Sequence, residues 1–126
     1  MRIGVMIGGG NPDELVKQAI DIEGRGFDSL WMANAPGYGL ETLNAMALIA
    51  RETSRIKLGT AVVPIYLHHP MALAQSALTI QKVAQGRFSL GIGLSHRVIV
   101  EERLGLSFDR TCATAGRLSI YPSFAA

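Results

Sequence analysis

Apolar runs alternate with amphipathic stretches along most of this chain. Four short runs are apolar enough to predict buried strands, at residues 2–7, 29–32, 57–63 and 88–92. Between them, apolar residues recur at helical spacing and predict three helices, at residues 12–24, 41–52 and 70–84. A shorter helix is predicted at residues 98–104. Strict alternation of strands and helices predicts an α/β fold with a parallel sheet, because crossovers of this length join parallel neighbours.

Local signals support two of the predicted helix starts. Asn11 is a favourable N-cap, Pro12 suits the first helical position, and Glu14 stands at the capping-box distance from Asn11. Pro70 suits the start of the third helix for the same reason as Pro12. The Pro and Gly content of residues 34–39 predicts a loop after the second strand.

The run at residues 57–63 is largely apolar, which predicts a strand that is buried on both faces and ends at Pro64. A functional site is expected where this strand ends, because the open ends of parallel strands carry function in α/β folds. The predicted core includes the tryptophan and four of the methionines: Trp31, Met6, Met32, Met46 and Met71. Periodicity leaves two architectures open, a doubly wound sheet and the first half of an eight-stranded barrel.

The composition is that of a globular domain with an aliphatic core. Of the 126 residues, 48% are hydrophobic and 17% are charged. The net charge of +2 is spread along the chain, which argues against nucleic acids and anionic membranes as partners. No apolar run reaches the ~20 residues of a membrane span. The single cysteine, Cys112, excludes an internal disulfide and indicates an intracellular, cytoplasmic setting.

Five segments resemble the luciferase-like monooxygenase superfamily. They are GFDSLW at 26–31, RIKLGTAV at 55–62, HP at 69–70, GRFSLGIG at 86–93 and LGLSFDR at 104–110. Within that superfamily the chain is most similar to oxidoreductases that use the deazaflavin coenzyme F420. The resemblance covers residues 1–110 in order, as one partial barrel domain. It implies that the fold is the N-terminal half of a (β/α)8 TIM barrel, with four parallel strands alternating with helices.

Residues 111–126 depart from this pattern. Their composition moves to Thr, Ser and Ala, and Arg117 is the one charge among them. In the family, a Pro and a charged amphipathic helix follow this point, and a complete barrel needs ~250 residues. We therefore expect a truncated product. Its tail at 111–126 is expected to be disordered, and either read in a shifted frame or otherwise unrelated to the family.

The resemblance also implies where a cofactor lies, namely across the carboxyl ends of the barrel strands. The implied cofactor is coenzyme F420, with FMN as the alternative. A cis peptide bond between Ala61 and Val62 is implied in a bulge behind the cofactor ring. The implied cofactor-binding residues are Ala61, Val62, Gly93, Leu94 and Ser95.

Two catalytic candidates follow from the same resemblance. Members that oxidise sugar phosphates carry an Asp-His pair at the end of the second strand, where this chain has Asn34 and Ala35. They carry a Glu at the end of the fourth strand, where this chain has His96. Histidine is a general acid or base near neutral pH, although His96 has an equally good interpretation as a turn cap or a solvent-facing residue. These differences argue against a sugar-phosphate substrate.

Two further motifs have weaker functional interpretations. His68 and His69 are adjacent, so their side chains point apart, and no third ligand is spaced to join them. A structural or cofactor-edge role is favoured over a metal site. The glycines at 8–10 do not complete the G-x-G-x-x-G dinucleotide pattern, because Asp13 occupies its last position. They favour a tight turn beneath a ligand.

Three hypotheses for the function remain open at this point. The first is an oxidoreductase that transfers hydride between F420 or FMN and a small organic substrate. The second is an inactive fragment of such an enzyme, and the third is a doubly wound nucleotide-binding module. Half a barrel exposes edge strands and one side of its core, so self-association is also expected.

Overall fold

A computed structural model gives the structure of the chain and describes residues 1–108. The predicted tail at 111–126, and residues 109–110 at the end of the family resemblance, lie outside the described residues. The helices are α1 (Pro12–Gly24), α2 (Thr42–Glu52) and α3 (Pro70–Val83). The strands are β1 (Gly4–Ile7), β2 (Ser29–Met32), β3 (Lys57–Thr60), β4 (Val63–Pro64), β5 (Phe88–Ser89) and β6 (Ile92–Gly93). A 3₁₀ turn spans Ile65–Leu67, and a π-helical turn at Ile99–Arg103 replaces the predicted short helix.

Two of the four predicted strands are each broken into two short pieces. The run at 57–63 forms β3 and β4, separated by Ala61 and Val62, whose peptide bond is cis as the resemblance implies. The run at 88–92 forms β5 and β6. The alternation of strand and helix along the chain is confirmed. The family resemblance implied the bulge at Ala61-Val62, whereas the break in the fourth strand was not predicted.

The order of the strands decides between the two architectures. β1, β2, β3 and β5 form one parallel sheet in that order, and β4 pairs in parallel with β6 beside it. The order follows the chain, whereas a doubly wound sheet reverses its order at a switch point. All three helices contribute to a single core on one face of the sheet. The doubly wound alternative is therefore wrong, and the sheet is built like the first half of a barrel.

The two faces of the sheet differ sharply in burial. On one face, side chains in register along the sheet pack against the helices, namely Leu30, Met32, Leu58 and Phe88. On the other face, which we call the open face, Met6 is 62% exposed and its register partner Trp31 is half-buried. Met6 and Met71 are exposed, so their prediction as core residues is wrong, whereas it is confirmed for Met32 and Met46. The predicted burial of the first strand is also wrong, because no element among residues 1–108 covers its outer edge or open face.

Trp31 covers part of the open face by lying across a glycine. A Cβ on Gly59 would collide with the Trp31 ring, and a Cβ on Gly4 would approach Ser29 Oγ to 2.6 Å. The indole Nε1 donates a hydrogen bond of 2.9 Å to Ser29 Oγ. Gly59 is therefore buried although no second layer within residues 1–108 covers it. The predicted burial on both faces is confirmed for residues 58–60 and 63, whereas Ala61 and Val62 are exposed.

Side chains cap each helix at its amino end. Asn11 Oδ1 accepts hydrogen bonds from the backbone N–H groups of Asp13 and Glu14, which confirms the predicted cap. α2 begins one residue later than predicted because the Glu41 carboxylate acts as its cap. His69 Nδ1 accepts from the Met71 N–H at 3.2 Å and caps α3. A negative charge at the start of α2 also interacts favourably with the helix dipole.

None of the helices within residues 1–108 has the length and apolar character needed to cross a membrane.

Candidate functional site

The candidate site lies at the carboxyl edge of the sheet, where the parallel strands end together. Three segments meet there: the loop that starts at Asn34, the break at Ala61-Val62, and the segment from Gly93 to His96. Since the strands are parallel and in sequential order, their carboxyl ends share one edge by construction. The topology therefore brings segments far apart in sequence to one place.

Backbone hydrogen bonds hold the Ala61-Val62 break on both sides. On one side, the Ala61 N–H donates to the Met32 carbonyl at 2.9 Å, and the Asn34 N–H donates to the Val62 carbonyl at 3.2 Å. On the other side, the Val63 N–H donates to the Gly91 carbonyl at 2.9 Å. The break is consequently a fixed feature held between its two neighbouring strands.

A pair of reciprocal hydrogen bonds links Thr60 to Gly91. The buried Thr60 hydroxyl donates to the Gly91 carbonyl and accepts from the Gly91 N–H, each at 2.8 Å. A Cβ on Gly91 would collide with the Thr60 carbonyl oxygen, and one on Gly93 would lie 2.6 Å from Val62 Cγ2. Only glycine permits these close approaches. The role of Thr60 was not predicted from the sequence, because its partner is 31 residues away.

The surface of the break is small, apolar and accessible. Ala61 is exposed, Val62 is 38% exposed, and Gly93 behind it has no side chain. Ser95, two residues further on, is half-buried and has a left-handed backbone with φ of 62°. A small apolar surface of this kind, which we call the wall, can contact the face of a planar ring system such as a flavin or deazaflavin. The residues present therefore fit the cofactor that the sequence implies.

A cleft of about 440 Å³ opens beside Asn34. Its lining includes the loop at residues 34–41 together with Leu67, His68 and Leu104. Arg103 holds the Tyr38 side chain of this lining, because its guanidinium stacks 4.5 Å from the centre of the Tyr38 ring and donates to the Tyr38 hydroxyl at 2.6 Å. Sequence reasoning missed this pair, since the two residues belong to separate segments with no shared motif.

The two adjacent histidines have different surroundings. His69 has the structural role described above as the cap of α3. His68 lines the cleft, and its Nε2 is buried without a hydrogen-bond partner among residues 1–108. Within the same part of the chain, no group of three or more His, Cys, Asp or Glu side chains is placed to hold a metal ion.

The structure brings some of the predicted site residues together and leaves others apart. Asn34, Ala61, Val62 and Gly93 meet at the break. Leu94 and His96 are exposed beyond it, and the His96 carbonyl accepts from the Val100 N–H at the π-helical turn. Among residues 1–108, no hydrogen bond joins His96 to Asn34.

The glycine loop at residues 8–10 differs from its prediction. None of these three glycines has a left-handed backbone, whereas Gly37 and Gly39 in the neighbouring loop do, with φ of 81° and 71°. The Gly9 carbonyl accepts a hydrogen bond from the Leu40 N–H at 3.4 Å. The tight turn is thus in the loop after β2, and the glycine loop packs against it.

The family to which the chain belongs follows from comparison with known proteins. A model of the luciferase-like monooxygenase family matches residues 1–115. The chain belongs to this family. Its sheet is accordingly the first half of a luciferase-like (β/α)8 barrel.

Three known proteins illustrate the relationship. A Mycobacterium tuberculosis protein, whose name assigns it to the coenzyme F420-dependent oxidoreductases, is 34% identical over 119 residues, which are 90% of this chain and 33% of the relative. An F420-dependent glucose-6-phosphate dehydrogenase from Kineococcus radiotolerans is 31% identical over 115 residues, covering 85% of this chain and 34% of the relative. The oxygenating constituent of 3,6-diketocamphane monooxygenase from Pseudomonas putida, solved with FMN, superposes with a TM-score of 0.73 at 21% identity, covering 83% of this chain and 32% of that chain.

The chain spans about a third of the length of the curated relatives it matches. The comparisons therefore establish the family. The activity of the whole enzyme is a separate question.

Proposed function

We propose that the wall at Ala61-Val62 binds the ring of coenzyme F420, with FMN as the alternative, in an oxidoreductase acting on a small organic substrate. The reaction is hydride transfer between the cofactor and that substrate. The proposal rests on one observation above all. An accessible apolar wall is fixed by hydrogen bonds at the carboxyl edge of the sheet, where Gly91 and Gly93 let the neighbouring segment approach Thr60 and Val62 closely.

The cofactor would supply the hydride-carrying centre, and the protein would supply position and proton transfer. In this role Val62 and Ala61 support one face of the ring. The carboxamide of Asn34 and the hydroxyl of Ser95 donate or accept hydrogen bonds at its rim. His96 acts as the acid or base, because an imidazole exchanges protons near neutral pH.

The proposed substrate is not a sugar phosphate, although one relative is a glucose-6-phosphate dehydrogenase. Asn34 cannot exchange a proton as an Asp does, and Ala35 has no polar group to act as a base. The cleft beside Asn34 offers Leu67, Tyr38 and Leu104, which suit a substrate with apolar or aromatic character. The proposed setting is the cytoplasm, which rests on the cysteine content alone.

Fluorescence titration of the purified 126-residue chain with F420, FMN and NAD tests this proposal. We expect saturable binding of F420 or FMN and none of NAD. Val62→Glu places a charge on the wall and should weaken binding at least about tenfold. Leu48→Glu is the matched control, because Leu48 is also apolar and is 48% exposed, on α2 and away from the site.

Two results would contradict the proposal. One is the absence of saturable binding by F420 and FMN in a chain that is folded by circular dichroism. The other is equal weakening by Val62→Glu and Leu48→Glu. The first result would favour the alternative that the chain is an inactive fragment, which the short coverage of its relatives supports.

A further inference from the structure

The cleft beside Asn34 has a positive charge held at one side. The Arg103 guanidinium stacks on the Tyr38 ring, donates to the Tyr38 hydroxyl at 2.6 Å and donates to the Pro36 carbonyl at 3.5 Å. These contacts join the π-helical turn to the loop that lines the cleft. The guanidinium is therefore positioned before any ligand arrives, and a preorganised group loses less entropy on binding than a mobile one.

This guanidinium has no acidic partner among residues 1–108. The ion pairs in that part of the chain join Arg25 to Asp21 and Arg97 to Glu101. Glu41 is the acidic residue in the lining of the cleft, and both its oxygens accept hydrogen bonds from backbone N–H groups at the start of α2. The described residues therefore leave the positive charge beside the cleft without a neutralising carboxylate.

The hydroxyl of Tyr38 adds a second donor at the same place. It accepts its hydrogen bond from Arg103, so its own hydrogen can be donated to another group. The guanidinium also has N–H groups without an acceptor among the described residues. A carboxylate accepts several hydrogen bonds, and bonds between charged partners are shorter and stronger than neutral ones. Arg103 and Tyr38 together therefore present the donors that a carboxylate requires.

We propose that the cleft binds an organic acid with an apolar or aromatic body, and that Arg103 and Tyr38 bind its carboxylate. Leu67 and Leu104 line the cleft and give the body of the acid an apolar surface. The cleft volume of about 440 Å³ is within the range of small-molecule pockets.

The identification of this acid as the substrate rests on the proposed function. The cleft and the wall share Asn34, which lines the cleft and donates its backbone N–H to the Val62 carbonyl. An acid in the cleft would therefore lie next to a cofactor ring on the wall. The binding of the acid itself does not require the cofactor.

NMR titration of the isotopically labelled 126-residue chain with cinnamate, in the absence of cofactor, tests the proposal. The amide signals of residues 34–41 and of Leu104 should shift and saturate. Cinnamamide has nearly the same shape without the charge, and we expect it to bind at least about tenfold more weakly. Glucose-6-phosphate is an anion with a polar body, so it should also bind more weakly than cinnamate.

Three variants test the groups that bind the carboxylate. Arg103→Gln removes the charge and should weaken cinnamate binding at least about tenfold, with no comparable loss for cinnamamide. Arg103→Lys retains the charge but not the planar array of donors, so its affinity should lie between those of wild type and Arg103→Gln. Tyr38→Phe retains the ring that the guanidinium stacks on and removes one donor, so it should weaken binding by about threefold.

Arg51→Gln is the matched control, because it removes the same charge from an exposed position in the last turn of α2. It should bind cinnamate as the wild type does. Tyr38 and Arg103 are exposed, so all of these variants should have the wild-type circular dichroism spectrum.

Four outcomes would overturn the inference. The first is the absence of saturable cinnamate binding in a chain that is folded by circular dichroism. The second is binding of cinnamamide or glucose-6-phosphate as tightly as cinnamate. The third is equal weakening by Arg103→Gln and Arg51→Gln. The fourth is competition between cinnamate and F420 or FMN, which would assign Arg103 to an anionic group of the cofactor.

Failure of this inference can be distinguished from failure of the proposed function. A chain that binds F420 or FMN but not cinnamate would remove this inference alone. A chain that binds cinnamate through Arg103 but neither cofactor would remove the proposed function and leave the acid-binding cleft.

Discussion

At the scale of single residues, Glu23 joins the end of α1 to the loop before β3. Its carboxylate accepts hydrogen bonds from the N–H groups of Ser54, Arg55 and Ile56, the shortest being 2.6 Å from Arg55. Burial raises the pKa of Glu23, but these three hydrogen bonds and the nearby charge of Arg55 together outweigh burial and hold its pKa below the ordinary value. The folded state therefore stabilises the ionised carboxylate of Glu23 relative to the protonated form.

This arrangement predicts a particular dependence of stability on pH. A carboxylate with a lowered pKa in the folded state contributes stability above its unfolded-state pKa and loses it as the pH falls through the folded-state pKa. Glu23→Gln should therefore lower the free energy of unfolding most at neutral pH, and the difference from wild type should shrink in acid. Urea unfolding from about pH 7 down to about pH 3 measures this.

Glu52→Gln is a suitable control, because Glu52 is an exposed carboxylate at the end of α2. It removes the same charge without removing the three backbone hydrogen bonds. A Glu23→Gln effect that stays constant or grows towards acid pH would contradict the assignment.

At the scale of elements, Arg87 ties α2, β3 and β5 together. Its guanidinium donates to the carbonyl groups of Ala50, Thr53 and Ile56 at 3.1, 2.8 and 2.8 Å, and to the Thr53 hydroxyl at 3.2 Å. The last carbonyls of a helix have no partner within the helix, and a positive charge there also interacts favourably with the helix dipole. One side chain thus supplies hydrogen-bond donors to carbonyl groups at the carboxyl end of α2 and just before β3.

We expect Arg87→Met to lower the free energy of unfolding by about 3 kcal/mol, because it leaves several half-buried carbonyls without their charged donor. Arg25→Met is the control: Arg25 forms an exposed ion pair with Asp21, one helical turn away. Pairs of that kind contribute less than about 1 kcal/mol. If the two variants lose the same free energy of unfolding in urea, the hydrogen bonds of Arg87 do not hold these elements together.

At the scale of the whole molecule, the sheet formed by the described part of the chain is covered by helices on one face and has no neighbouring strand at either edge. The hydrogen-exchange rates of the backbone amides should therefore differ between the inner and the edge strands. We expect the amides of β2 and β3, which have a neighbour on each side, to exchange slowest. The amides of β1, which have a neighbouring strand on one side alone among residues 1–108, should exchange faster. Slower exchange in β1 than in β2 would contradict the strand order.

Much of the fold followed from short-range patterns. Asn11, Pro12 and Pro70 act on their immediate neighbours, so they marked the starts of α1 and α3 correctly. The bulge at Ala61-Val62 was implied by the family resemblance alone. The break in the fourth strand was not predicted, because Thr60 and Gly91 interact across 31 residues. Met6 shows the same limit, since its apolar side chain is buried only if another layer exists to cover it.

The candidate site was also predicted only in part from the sequence. Motif resemblance predicted Asn34, Val62 and Gly93, and the structure brings these three together. The stacking of Arg103 on Tyr38 and the buried Nε2 of His68 had no signal in the sequence, because each depends on where separate loops meet. The catalytic role of His96 stays a prediction.

The sequence by itself determined the alternation of strands and helices, the helix caps and, through its motifs, the luciferase-like family. These properties depend on side-chain spacing within a few residues, or on segments that match a family in order. Only the tertiary structure decided between the two architectures that periodicity left open. It alone gave the break in the fourth strand and the hydrogen bonds that hold Ala61-Val62. The physical reason is that each of these depends on hydrogen bonds and packing between strands that are distant in the chain, and such partners are chosen only when the sheet assembles.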